Sequence, residues 1–252
     1  MRAIIFAAGL ASRLGELTEN LPKACLLLNE QQTILERSLG LICDNGFDEV
    51  VIVTGHARES IEELVSQWTD RFEKIETIFN PEYASRNNIY SAYLIADLLD
   101  GESFIFNSDI VYHPYILENA MFSYNTDAQS FLVVDDQKPL VDEDMKVTLN
   151  EKSSVNRINK ALNNKESSGE YIGILYLNSD DAVQFKKSLE LMIEAQEYSK
   201  YYEDALDRIA NSLDLKIVST EGQEWAEIDT VEDYNRARNL KCVKSQSLNS
   251  CK

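Results

Sequence analysis

Glycine and proline are scarce, with 9 and 4 residues in a chain of 252, which excludes collagen-like repeats and long low-complexity linkers. Histidine is scarcer still, at two residues, His56 and His113. The four cysteines, Cys25, Cys43, Cys242 and Cys251, form no CxxC pair, so a structural zinc site is not supported. Their spacing suggests no disulfide framework and a chain of this size needs none, so the expected compartment is a reducing cytoplasm. No apolar run approaches the roughly 20 residues of a membrane span, and no membrane insertion is expected. The apolar start, Met1 to Gly9, is too short for a signal-peptide core and reads as a first strand. Positive charge is in deficit. Against 43 Asp and Glu stand 24 Lys and Arg, a net charge of -19, which argues against nucleic acid as a partner.

What remains is the make-up of a globular α/β protein: 44% apolar, 27% charged. Ala3 to Ala7 and Val50 to Val53 are continuous apolar runs, as expected of strands buried on both faces. Shorter strands are predicted at Ile75–Phe79 and Phe104–Phe106. Helical spacing predicts helices over Thr33–Asp44, stopped by Asn45-Gly46, then over Arg58–Phe72 and Ile89–Leu99, with another opening at Pro114. This rhythm argues for a doubly wound, mostly parallel sheet, whose ligands bind at the edge where the strands end. The second half is less regular. Strands are predicted at Ser130–Val134, Lys146–Leu149, Val155–Ile158, Tyr171–Leu177 and Trp225–Ile228. Helices are predicted at Ala182–Gln196, Glu203–Leu213 and Val231–Leu240. With no linker in evidence, residues 1–240 are expected to form a single domain and 241–252 a polar, frayed tail.

The strongest local signal follows the first strand. Ala7, Ala8, Gly9, Ala11 and Ser12 make a small-residue loop whose backbone N–H groups can approach phosphate oxygens, and Arg13 and Lys23 can neutralise a triphosphate. An acidic protein binds a nucleotide where such a basic loop and a metal ion supply positive charge. Neither GxxxxGK[ST] nor GxGxxG is present. A tight turn carrying two surface cations is the alternative to that phosphate loop. Asp109 and Asp229 each follow an apolar strand, the position of a magnesium ligand at a sheet edge, but also of a turn residue or of a cap for the closing helix.

The run AAG-L-A-SRL followed by Leu21-Pro22-Lys23 resembles the signature of the sugar-phosphate nucleotidyltransferase superfamily, AAGxGxR…PK, and the likeness extends to about Asp233. Two departures stand out: Ala11 replaces the commoner glycine, and no second basic residue follows Leu14. The resemblance implies a Rossmann-like mixed sheet of the nucleotide-diphospho-sugar transferase type. It also implies Mg²⁺ held by Asp109 and Asp229, and a phosphate contact from Lys160.

Asn87-Asn88-Ile89-Tyr90-Ser91, Asn107-Ser108-Asp109, Gly169-Glu170-Tyr171-Ile172-Gly173, Tyr201-Tyr202-Glu203-Asp204-Ala205 and Glu227-Ile228-Asp229-Thr230 together resemble the bacterial phosphocholine cytidylyltransferases and their relatives acting on 2-aminoethylphosphonate. That implies CTP as donor, with Asn87, Asn88 and Ser91 beside the nucleotide. The paired amides suit a pyrimidine edge or ribose; as helix caps, Asn88 is the favoured one. The acceptor would be a small amine-bearing phosphate or phosphonate. A quaternary ammonium is recognised by aromatic faces and carboxylates, available from Glu170, Tyr171, Tyr201, Tyr202, Glu203, Asp204 and Trp225; for any single ring, core packing is the plainer reading. A sugar-1-phosphate nucleotidyltransferase using UTP, dTTP or GTP is the alternative on the same fold, and a non-catalytic nucleotide-binding module the alternative of another class. Assembly as a homo-oligomer is compatible with either.

Overall fold

The computed structural model describes residues 1–245. In chain order the elements are β1 (Arg2–Ala7), α1 (Ile34–Asp44), β2 (Glu49–Thr54), α2 (Arg58–Ser66), β3 (Lys74–Phe79), α3 (Asn88–Leu94), β4 (Ser103–Asn107), β5 (Ile110–Tyr112) and α4 (Pro114–Asp127). There follow β6 (Phe131–Asp135), β7 (Lys146–Leu149), β8 (Val155–Asn159), β9 (Gly169–Leu177), α5 (Ser179–Glu194), α6 (Tyr202–Ile209), β10 (Lys216–Ser219), β11 (Trp225–Glu227), α7 (Val231–Arg238) and α8 (Lys241–Lys244). The chain divides into two compact units: residues 1–84, 106–118 and 223–252, and residues 85–105 and 119–222. Among the described residues, no helix is long and apolar enough to cross a membrane.

In the first unit β1, β2 and β3 lie parallel in that order, with Ala3 opposite Val50 and Val50 opposite Ile75. The apolar runs of β1 and β2 are buried, as their lack of polar alternation requires. Helix α1 begins at a capping box: Thr33 Oγ1 accepts from Glu36 N (3.1 Å) and Glu36 Oε2 from Thr33 N (2.7 Å). Helix α2 stops at Ser66, short of the expected Phe72; beyond it Trp68 and Phe72 stack on each other. Strand β5, too short to stand out in the sequence, pairs antiparallel with β11, placing Glu227 opposite Ile110. Behind this ribbon Leu14, Leu26, Ile34, Val111, Ile228 and Tyr234 form an apolar cluster. Cys242 and Val243 of α8 join it, so the expected tail does not begin at Lys241: an apolar pair inside a polar segment anchors one more helical turn. The rest of that tail, 246–252, lies outside the described residues.

The second unit is mixed. Strand β6 runs antiparallel to β9 and parallel to β10, while β7 runs antiparallel to β8 and β9. Strand β10 has only Ile217 and Val218 as apolar residues, which is why its sequence carries no strand signal. Rings fill the interior, with Tyr176 centred 4.8 Å from Phe104 and 5.3 Å from Phe131. Helices α3, α5 and α6 pack together, and Ser188 on α5 donates to Ala205 O on α6 at 2.7 Å.

Candidate active site

In the first unit the chain leaves β1 at Ala7 and turns through Ala8 to Ala11 into a 3₁₀ segment, Ser12–Thr18. Gly9 and Ser12 are exposed, Ala7 and Ala8 buried. Ala11 is left-handed (φ 49°, ψ 37°), the conformation that explains why the commoner signature has glycine there. Its carbonyl accepts from Leu14 N and Thr18 Oγ1, each at 3.0 Å, which fixes the turn. Beneath the loop lies Gly55. A Cβ at that position would stand 2.4 Å from Ala8 O.

Pro22 opens the short turn that carries Lys23. The Lys23 ammonium donates to Asp109 Oδ2 at 2.9 Å, Asp229 Oδ1 at 3.3 Å and Ile228 O at 2.6 Å. Burial by itself would lower the lysine's pKa; the charges of Asp109 and Asp229 outweigh it and raise the value. Arg13 Nη2 donates to Asp229 Oδ2 at 2.8 Å, with the Arg13 side chain 64% exposed. Asp109 occupies the turn between β4 and β5, and Ser108 N donates to Phe6 O at 3.2 Å, tying that turn to β1. The residues expected to carry phosphate and metal chemistry, Arg13, Lys23, Asp109 and Asp229, are thus gathered in one place.

The cap of α7 is Thr230, in a capping box with Asp233, so Asp229 is not committed to that role. A third carboxylate, Glu227, joins the site. One oxygen of each of Asp109, Glu227 and Asp229 lies within 4.8 Å of the others. Glu227 is the last residue of β11, where strict alternation hides it; its spacing two residues before Asp229 is the signal that finds it. Asp109 Oδ1 is buried and makes no hydrogen bond. An oxygen-only donor set with an unsatisfied buried carboxylate oxygen fits a hard divalent cation such as Mg²⁺. Trp225, expected at the acceptor, is half-buried on β11 of the first unit, opposite Tyr112, and does not line the cavity of the second unit.

The second unit holds a cavity of about 240 Å³ lined by Met145, Asn159, Lys160, Ser199, Lys200, Tyr201 and Asp204. Lys160 Nζ lies 5.4 Å from the centre of the Tyr201 ring, which is 37% exposed. Asp204 Oδ2 accepts from Tyr201 N at 2.8 Å and Oδ1 from Asn159 Nδ2 at 3.1 Å. Tyr171 and Tyr202 are core residues, their hydroxyls 2.8 Å apart, so the expectation that each offers a ring face gives way to packing. Glu203 is buried beside them with Oε2 unpartnered. Burial pushes its carboxyl up to about 7, against hydrogen bonds from its own backbone and Tyr202 and against the charge of Lys160. Glu170 is buried in an ion pair with Lys138, and burial raises it to about 7 despite that partner. Ser91 is buried at 2% exposure in α3. The helix cap is Asn87, not Asn88: Asn87 Oδ1 accepts from Asn88 N at 2.8 Å, because the chain enters helical geometry one residue earlier than the apolar spacing suggests.

A family model described as Nucleotidyl transferase matches residues 2–241. The chain is 26% identical over 251 residues to a choline-phosphate cytidylyltransferase of Streptococcus pneumoniae, covering 95% of this chain and 98% of that protein. It is 25% identical over 239 residues to a 2-aminoethylphosphonate cytidylyltransferase of Lancefieldella rimae, covering 92% and 89%. Among solved structures, the CTP:phosphocholine cytidylyltransferase of Streptococcus pneumoniae superposes with a TM-score of 0.77 at 23% identity, over 94% of this chain and 97% of that one. An inositol-1-phosphate CTP transferase from T. maritima superposes with a TM-score of 0.76 at 20% identity, over 97% and 96%. These likenesses establish the fold, a Rossmann-like mixed, mostly parallel central sheet flanked by helices.

Proposed function

The chain belongs to the nucleotidyl transferase family, and we propose that it is an enzyme transferring CMP from CTP to a small amine-bearing phosphate or phosphonate. The observation that carries this reading is the Lys23 ammonium held among Asp109, Asp229 and Ile228 O, beside the loop that follows β1. Similarity to cytidylyltransferases along nearly the whole chain supports the choice of nucleotide and acceptor class.

In the reaction, an acceptor phosphate or phosphonate oxygen attacks the α-phosphorus of CTP. The bond from that phosphorus to the bridging oxygen breaks, and pyrophosphate leaves. The attacking oxygen is already ionised, so no general base is required. Arg13 and Lys23 bring positive charge to the triphosphate and the leaving group. Asp109, Asp229 and Glu227 are the residues that would hold Mg²⁺. When bound, the ion supplies the charge that screens two anionic reactants from each other. The cavity of the second unit suits the acceptor: Lys160 for its phosphate, the Tyr201 ring and the Asp204 carboxylate for its ammonium.

Pyrophosphate release with Mg²⁺ and CTP across phosphocholine, phosphoethanolamine, 2-aminoethylphosphonate and glucose-1-phosphate tests the reading. Turnover with an amine-bearing acceptor is expected. Turnover only with glucose-1-phosphate, or only with another nucleotide, discards the proposed substrates and keeps the family's chemistry.

A further inference from the structure

Three residues of the cavity lining, Ser199, Lys200 and Tyr201, belong to the short connector from α5 to α6. Such a connector has no ladder of its own to hold it, so its position depends on what it touches. Beyond its own neighbours, Asp204 and Lys160, it is held from the start of α3. Asn87 N donates to Tyr198 O at 2.8 Å and Asn87 Nδ2 to Ser199 O at 3.2 Å. Asn88 Oδ1 accepts from Tyr202 N at 2.9 Å, satisfying one of the amides that the first turn of α6 leaves without a helical partner. The Arg86 guanidinium lies between two rings, 4.3 Å from the centre of Tyr90 and 3.9 Å from that of Tyr198. Four contacts from three consecutive residues therefore converge on residues 198–202.

We infer that Arg86, Asn87 and Asn88 are positioning residues that hold the 198–202 connector as a wall of the cavity, and so set the affinity for the acceptor. The amides face a different task from the one their sequence suggests. A side-chain amide reads a pyrimidine edge with both its oxygen and its nitrogen. Here the oxygen of Asn88 is engaged by Tyr202 N, and both ends of Asn87 are engaged, by Asn88 N and Ser199 O. The kinetic side of this inference rests on the cytidylyltransferase reading; the brace itself does not.

Asn88→Ala and Asn88→Asp separate the two roles. Aspartate keeps the oxygen that accepts from Tyr202 N and loses the amide N–H groups that a base would need. Loss of one such hydrogen bond corresponds to about a tenfold change in an equilibrium. Asn88→Ala is therefore expected to raise the acceptor KM about tenfold and leave the CTP KM within about twofold. Asn88→Asp should stay close to wild type for both substrates. A rise in the CTP KM for both variants, with the acceptor KM unmoved, overturns the inference. Hydrogen exchange over residues 198–202 gives a readout independent of turnover. Faster exchange there in Asn88→Ala supports the brace, and unchanged exchange overturns it, whether or not the wild type turns over any acceptor with CTP. Tyr198→Leu, at a half-exposed ring, serves if Asn88→Ala does not fold, with faster exchange again expected and a KM change of about threefold.

Discussion

Gly55 is the position where one methyl group should do most harm. It follows β2, whose last residue Thr54 pairs with Ala7 at the end of β1. An added Cβ would lie 2.4 Å from Ala8 O, 2.9 Å from Ala8 Cα and 2.7 Å from Tyr83 Cβ. Non-bonded heavy atoms settle at about 3.5 Å, so the loop backbone must retreat by about 0.5–1 Å. Ala8 is backbone on both counts and cannot rotate away. Overpacking of this kind costs about 1–3 kcal/mol, or about 2–10 °C of melting temperature for a chain of this size. The larger effect should fall on chemistry, since a misplacement of about 1 Å can cost about 100-fold in rate. Gly55→Ala is therefore expected to lower kcat/KM for pyrophosphate release by about 100-fold, more than its thermal melt alone would suggest. Wild-type kcat/KM in a variant with a lowered melting temperature would refute the claim that Gly55 seats the loop after β1 for turnover.

Other variants probe the rest of the account. Asp109→Asn keeps the shape and removes the charge beside Lys23, so turnover should fall by about 100-fold or more and any stabilisation of the wild type by Mg²⁺ should vanish; a Mg²⁺-induced rise in melting temperature that survives the substitution contradicts the assignment. At Ala11, relief of left-handed strain by Ala11→Gly, about 1 kcal/mol, is offset by about 0.4–1 kcal/mol from a freer unfolded chain, so its melt should be nearly unchanged. Ala11→Val should lose more than about 1 kcal/mol, because a β-branched residue suits that conformation worst. The Glu203 carboxyl, raised to about 7, favours the folded state fully below its ordinary value of 4.5, and that contribution is lost as pH rises through about 7. Glu203→Gln should accordingly gain on the order of 2–3 kcal/mol relative to wild type between pH 5 and pH 8; denaturant melts at the two pH values that differ equally for both proteins would contradict it.

The legible parts of the sequence were those where one physical signal dominates. Continuous apolar runs mark β1 and β2, and a carboxylate just past an apolar run marks Asp109 and Asp229, because a buried strand can place a charge only where it emerges. Glu227 was hidden by lying within its strand, where alternation reads as ordinary surface. Tyr171 and Tyr202 look like Tyr201 in one dimension; only packing separates the two buried rings from the half-exposed one. The same holds for Asn87 and Asn88, whose partners lie more than a hundred residues away, at Ser199 and Tyr202. Cys242 and Val243 are a pair too short to register as a helix, yet they close the apolar cluster behind the carboxylates.

The most direct test of CMP transfer follows the α-phosphorus of CTP. With CTP labelled at that atom, Mg²⁺ and an amine-bearing phosphate or phosphonate, the label should appear in a new product joined through a P–O–P anhydride bond, in a ratio of one to each pyrophosphate released. Label that remains in CTP, or that appears only as free CMP, would contradict the account.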